Sequence, residues 1–308
     1  MRVAPIIHTR TFSCDFNSEF MVRPEIFMDS DIRWARQNVL GATEEIDGLN
    51  GFRWLIADNG KYRMAGVVGF LKSIFSKSAM SDSEKSRSEE MFYDNKGRQV
   101  YAFIGVVIDK YGNNDYGKLP LDYLCKIYID RIYPIWKSSY QETILESFRD
   151  EKFDVIKKIP KPEAITVDGR LLFETNPVMD YDLFLQYLCD SDKDRFSFCS
   201  NISDFNTAKK SDFSVITTSQ NIITRLKRNN TVIMSHNSDN EISQGQQVSH
   251  VTLEIPNTSD YIPIHKEKSK QLETKKKLSL ALIILLVIFV IIILILLYMM
   301  PQKQIDMH

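Results

Sequence analysis

QVYAFIGVVI, residues 99–108, is apolar at successive positions rather than alternate ones. A strand with one wet face alternates apolar and polar side chains. This one is therefore expected to be covered on both faces, in a sheet with helices packed on it. Asp94-Asn95-Lys96-Gly97 supplies a turn ahead of it and Asp109 bounds it. A similar run, AGVVGF at 65–70, closes an expected strand at 63–71, and 53–57 reads as another strand. Gly66, Gly69 and Gly105 are places where a second backbone or a ring can approach closely.

The neighbouring segments mix helix and strand. Residues 81–92 read as a helix opened by Ser81, with Glu84 three positions on, the spacing of a capping box. Residues 119–148 carry the longest helical pattern. Leu121, Leu124, Tyr128, Ile132 and Ile135 recur at helical spacing, and Asp122, Lys126 and Asp130 form an i,i+4 ladder on another side. Pro134 is expected to kink or break that helix, with Trp136, Tyr140, Ile144 and Phe148 continuing the stripe. Beyond it, Asp168-Gly169 between 164–167 and 170–174 is the signature of a two-residue hairpin turn. A short helix at 182–188 and strands at 195–199 and 213–217 complete the reading. The order lacks a regular βαβ rhythm, so the expected fold is an α+β soluble domain, a mixed sheet with packed helices. Residues 1–160 are expected to form the main α+β domain, with 161–228 a second lobe or a continuation of it.

Composition changes after residue 228. Residues 229–277 are rich in Asn, Ser, Gln and Lys and read as a flexible polar tether ending in a Lys cluster. Then comes LSLALIILLVIFVIIILILLYMM, 278–300, without a charged residue. At ~1.5 Å per residue it reaches ~34 Å, enough for a hydrocarbon core of ~30 Å, and it reads as one C-terminal transmembrane helix. Leu278, Leu282, Leu286, Phe289, Ile293 and Leu297 would face lipid, and Tyr298 would sit at the far interface. Lys275, Lys276 and Lys277 abut one end while Lys303 alone follows the other, so the positive-inside bias leaves the N-terminus cytosolic. The chain is thus expected to be a single-pass, tail-anchored membrane protein whose residues 301–308 are a short non-cytosolic tail. The lysines also suit anionic lipid. The anchor has no small-xxx-small pattern, so the transmembrane helix gives no sign of oligomerisation.

Charge narrows the partners. The formal net charge is −1, and the lysines gathered before the anchor leave the rest of the chain mildly acidic. That balance argues against a nucleic-acid partner, since Arg225, Lys227 and Arg228 make too small a basic run. Cys14, Cys125, Cys189 and Cys199 form no CxxC pair and are expected to be reduced thiols. The N-terminus lacks the apolar core of a secretory signal.

Catalytic motifs are missing. There is no GxGxxG, P-loop, HExxH or GxSxG, and a His-based device in the folded part would have to use His8. Asp190, Asp192 and Asp194 open like a calcium loop, but Arg195 stands where that loop needs Gly and Asn201 where it needs Glu. No metal or cofactor is expected. The carboxylate pairs, Asp180 with Asp182 among them, read as surface patterns. Aromatics are concentrated instead: Tyr123, Tyr128, Tyr133, Trp136 and Tyr140 form a possible interaction surface, although rings packing a helix onto the sheet would leave the same pattern. The leading expectation is a membrane-tethered sensor or interaction module for a protein partner or small ligand. The alternatives are a membrane-perturbing effector and an anchored hydrolase with an unrecognised carboxylate site.

Overall fold

Side chains along 99–108 divide between two separate apolar cores, as continuous hydrophobicity requires. The computed structural model describes residues 1–16, 20–112, 116–139, 142–156, 162–189 and 195–239, with side chains up to 229. In chain order the strands are β1 (Arg2–Thr9), β2 (Val22–Pro24), β3 (Phe52–Asp58), β4 (Tyr62–Phe70), β5 (Tyr101–Asp109), β6 (Ile144–Glu146), β7 (Arg149–Asp150), β8 (Ile165–Val167), β9 (Arg170–Glu174), β10 (Ser197–Ile202) and β11 (Val215–Thr218). The helices are α1 (Asp29–Ala42), α2 (Leu71–Phe75), α3 (Asp82–Glu89), α4 (Leu121–Ile132), α5 (Pro177–Cys189), α6 (Phe205–Lys210) and α7 (Gln220–Asp239).

One mixed sheet runs β6-β2-β1-β5-β4-β3-β10-β11-β9-β8, with β7 added beside β1. β1, β5, β4, β3 and β10 pair antiparallel in turn, whereas β10, β11 and β9 are mutually parallel. The sheet therefore passes without interruption from residues before 160 to residues after it. Helices α2, α4 and α5 cover one face, where Trp54, Ile56, Ile104, Val106, Leu124, Tyr128 and Phe184 share a core. Helices α1, α6 and α7 cover the other, with Leu55, Phe103, Val107, Val39, Ala208 and Ile223. Each Val, Leu, Ile or Phe among them taken fully from water contributes about 1.5–3 kcal/mol. Gly66 and Gly105 face one another across β4 and β5. A Cβ on Gly66 would stand 2.2 Å from the Ile104 carbonyl oxygen, so only glycine permits this strand spacing.

Local chemistry sets several boundaries. Ser81 caps α3 reciprocally with Glu84, as the spacing predicts. Asp168 and Gly169 both take positive φ, 51° and 71°, the geometry that the Asp-Gly turn between β8 and β9 demands. Arg53 is fully buried on β3 and donates to the carbonyls of Ala42 and Glu44 at 2.7 Å, pinning the C-terminal end of α1.

Three expectations are corrected. Past Pro134 the helical stripe does not resume: Tyr133–Ile135 is a 3₁₀ turn and Ile144–Glu146 is a strand paired with β2. Pro134 removes a donor, and β2 offers Ile144 a better use of its backbone groups. The helix expected at 182–188 begins at Pro177, whose fixed φ and missing N–H suit a first turn. β1 itself lies between β2 and β5, and His8 on it is buried. The last helix runs to Asp239, past residue 229 where the tether was expected to begin.

The four cysteines are free thiols. Among the described residues no helix is long and apolar enough to cross a membrane. The described residues belong to one unit, Met1–Gln244; the second, Gly245–His308, contains the expected anchor and lies outside them.

Candidate functional site: a cleft at the ends of three parallel strands

Because β9, β10 and β11 are parallel, their carboxyl ends meet on one edge of the sheet. Thr175, Asn201 and Thr218 stand there, and β3, antiparallel to β10, begins beside them with Phe52. In sheets with parallel strands this edge is where ligands settle, because side chains and loop backbone converge on it. A cleft of about 820 Å³ opens here.

Its floor is polar and fully connected. The Asn201 N–H donates to Thr217 Oγ1 at 2.8 Å, Thr217 Oγ1 to Thr175 Oγ1 at 3.4 Å, and Thr175 Oγ1 to Asp180 Oδ2 at 2.9 Å. The Asn176 N–H adds a long contact to Asp180 Oδ1 at 3.4 Å. Asn201 holds a left-handed φ of 53° where β10 slips register, and its amide Nδ2 donates to the Asn50 carbonyl at 3.1 Å. Asp180 is only 4% exposed. Burial pushes its carboxyl pKa up, and the hydroxyls of Thr217 and Thr175 with the Asn176 N–H offset only part of that.

One wall is aromatic. Trp54 sits 4.8 Å from Tyr181 and 4.5 Å from Phe184, centroid to centroid, and Phe52 meets Trp54 edge-on at 5.6 Å. Tyr181 is fixed by donating its hydroxyl to the Leu119 carbonyl at 3.1 Å. Pro120, Leu121 and Pro177 extend the apolar lining. At the rim, Asp122 Oδ1 accepts the Ala79 N–H at 2.7 Å and so ties the α2–α3 connection to α4. Lys77 and Lys118 are exposed and line the cleft, and neither has a carboxylate partner among the described residues. Lys118 Nζ lies 5.9 Å from the Tyr181 ring centre.

The aromatic cluster read from sequence is elsewhere and mostly internal. Tyr128 and Trp136 are buried, so they present no ring to a partner; the Tyr128 hydroxyl meets Thr9 Oγ1 at 3.2 Å inside the core. Tyr123 and Tyr133 are half-buried against the same core, and Tyr140 lies outside the described residues. Leu278, Leu282, Leu286, Phe289, Ile293, Leu297, Tyr298 and Lys275–277 also lie outside them. No three carboxylate, His or Cys side chains gather as for a metal among the described residues. The sequence reading missed Phe52, Trp54, Asp180 and Asn201, which come together only through strand order. Asn176-Pro177 ahead of a helix was the available clue: the Asn176 side chain accepts the Val178 N–H at 3.0 Å. Comparison with protein-family models, with curated proteins and with solved structures finds no match to the chain.

Proposed function

We propose that the protein is a single-pass, tail-anchored membrane protein whose cytosolic α+β domain is a binding module, with its ligand seated in the cleft at the ends of β9, β10 and β11. The observation that carries the binding role is the cleft's construction: an aromatic wall over a floor whose polar groups are already hydrogen-bonded to one another. Such a floor is preorganised, so little ordering cost falls on a ligand that meets it. Among the described residues the lining holds Lys, Asp, Asn and Thr but no His or Cys, so it lacks the residues of a Ser-His or Cys-His device. The anchor rests on residues 278–300 and the orientation on the lysines before them.

A selection experiment tests the module. The full chain in lipid nanodiscs is incubated with a small-molecule cell extract, and retained compounds are read by mass spectrometry beside a Phe52→Ala/Tyr181→Ala variant of matched melting temperature. The expected result is at least one compound retained by the wild type and lost in the variant. Identical retention profiles refute the cleft as the site. Orientation is tested by thiol labelling of cysteines introduced at positions 240 and 308 in intact cells. Access to position 240 from outside refutes a cytosolic domain.

The anchored-hydrolase reading retains one supporting observation: a buried carboxyl with a raised pKa lines the cleft, the property that fits a general acid. It needs a second catalytic group, and Asp122, whose Oδ1 is engaged by the Ala79 N–H, is the remaining carboxylate of the lining.

A further inference from the structure

We propose that the cleft takes a small cationic amine, its protonated nitrogen seated on Asp180 and its ring against Phe52 and Tyr181; this rests on the cleft being the module's binding site. By count the lining is neutral, with Lys77 and Lys118 against Asp122 and Asp180. Depth separates them. Both lysines and Asp122 are exposed, so water and salt screen them, whereas Asp180 is only 4% exposed. At an effective dielectric of about 20 a charge attracts roughly four times as strongly as in bulk water, so the buried carboxylate sets the preference of the floor. Its neighbours leave that charge standing. The Thr175 and Thr217 hydroxyls and the Asn176 N–H are neutral donors, and no cation among the described residues offsets it. The first turn of α5, where Asp180 itself sits, favours a carboxylate through its dipole but supplies no whole charge. Burial holds the carboxyl pKa up in spite of these contacts.

Hydrogen bonding asks for the same ligand. The Asn176 N–H reaches Asp180 Oδ1 only at 3.4 Å, which leaves that oxygen able to accept a stronger donor. An ammonium brings three N–H donors and the matching charge. A sugar or alcohol hydroxyl brings donors alone and leaves the carboxylate uncompensated. The wall agrees. Phe52 and Tyr181 line the cleft half-buried, and aromatic ring faces attract cations as well as other rings. Lys118 Nζ, 5.9 Å from the Tyr181 ring centre, already stands at the limit of that attraction. Pro120, Leu121 and Pro177 offer apolar surface to the rest of the ligand. An extended peptide fits less well. β3 is paired on both sides, by β4 and β10, so the cleft has no free strand edge to which a peptide could add. The volume, about 820 Å³, suits a small molecule.

The test is isothermal titration of the full chain in nanodiscs of zwitterionic lipid, so that no net lipid charge gathers the cation, with tryptamine and its neutral isostere indole-3-ethanol. The expected result is saturable binding of tryptamine, with indole-3-ethanol at least ~10-fold weaker, the scale of one charge-assisted contact. Raising the salt from about 0.05 M to about 0.5 M should leave most of that ratio, because a buried pair is screened far less than an exposed one. In Asp180→Asn, tryptamine should fall to the level of indole-3-ethanol, whose own affinity should stay within about twofold. Should that variant melt below the wild type, the wild-type ratio and its salt dependence decide alone. Equal affinities of the two compounds, a ratio lost at high salt, or a preference kept in a folded Asp180→Asn overturn the cationic class while leaving the cleft as a binding site. If neither compound binds, the extract experiment decides. A compound retained in a Phe52- and Tyr181-dependent way supports the class when it carries a protonated nitrogen and overturns it when it does not. No binding in either experiment overturns class and cleft together.

Discussion

Acidification should destabilise this domain through one residue, His8. It lies on β1, stacked on Phe16 at 5.1 Å and edge-on to Phe20 at 5.6 Å, and its Nδ1 has no hydrogen-bond partner among the described residues. Burial, helped by the positive charge of Arg36, pushes its pKa from 6.5 down to about 4. The unfolded chain therefore takes up a proton near pH 6.5 that the folded chain refuses until about pH 4. Stability is full above 6.5, falls by about 1.4 kcal/mol per pH unit between the two values, and levels off below the lower one. The loss between pH 7 and pH 4 is about 3 kcal/mol, a large part of the ~5–15 kcal/mol that holds a domain together. Other groups act elsewhere or oppositely. Asp94, held below 3.8, contributes its loss only under that pH. Asp180, with its pKa raised, regains stability on acidification. The assay is urea titration followed by pulse proteolysis of the full chain in detergent at pH 7.0, 5.5 and 4.0, for the wild type and His8→Leu. The variant should lose about 3 kcal/mol less than the wild type over that range, with about half of the difference already present at pH 5.5. Parallel pH curves for the two proteins would show that His8 is protonated in the folded state and that the burial argument is wrong.

Three further outcomes follow from the packing. Phe103→Asp, Ile104→Asp and Val106→Asp should each cost several kcal/mol, since all three are fully buried and the first faces a different core from the other two; a melting temperature preserved in any one would show that its face is open. Gly66→Ala should cost more than the ~1–3 kcal/mol of ordinary overpacking, because its Cβ meets rigid backbone, whereas Gly97→Ala, with nothing within 4 Å, should cost only the roughly 1–2 kcal/mol of its left-handed φ; equal melting temperatures for the two variants would refute the close-approach argument. Asp180→Asn should raise the melting temperature at pH 7, where the buried carboxylate is unfavourable, and the gain should vanish as the pH falls to 3.8 and below; a loss of stability at pH 7 would mean that the floor needs the charge.

A carboxyl that costs stability, held in place by two threonines and a loop N–H, is what a binding site retains and a purely structural core replaces. Contrast Asp58, buried beside it in sequence type but not in role. It meets Arg63 at 2.8 Å and Lys110 at 3.1 Å, with the Gly60 N–H at 2.7 Å, and its charge is matched within the fold. Asp180, by contrast, meets only the hydroxyls of Thr175 and Thr217 and the Asn176 N–H, and no cation among the described residues offsets its charge.

Local rules determined much of this protein without the structure. The double-faced strands at β4 and β5, the capping box at Ser81 and the Asp-Gly turn at 168–169 depend on neighbours a few residues apart, and their chemistry is written in order along the chain. The proposed anchor at 278–300 rests on the same kind of local reading, because a bilayer selects a segment by its own length and hydrophobicity. Tertiary structure alone decided the rest. Tyr128 and Trp136 carry the same amphipathic rings whether they meet solvent or a sheet, and only packing puts them inside. Asp180 resembles any surface carboxylate until Thr175, just past the end of β9, and Thr217 from β11 close around it. The cleft brings Phe52 to Asn201 and Lys118 to Tyr181, residues far apart in sequence, because β3 pairs with β10 and α4 lies over the same face as α5. Strand order is set by the summed burial of the whole sheet, a quantity that no short stretch of sequence contains.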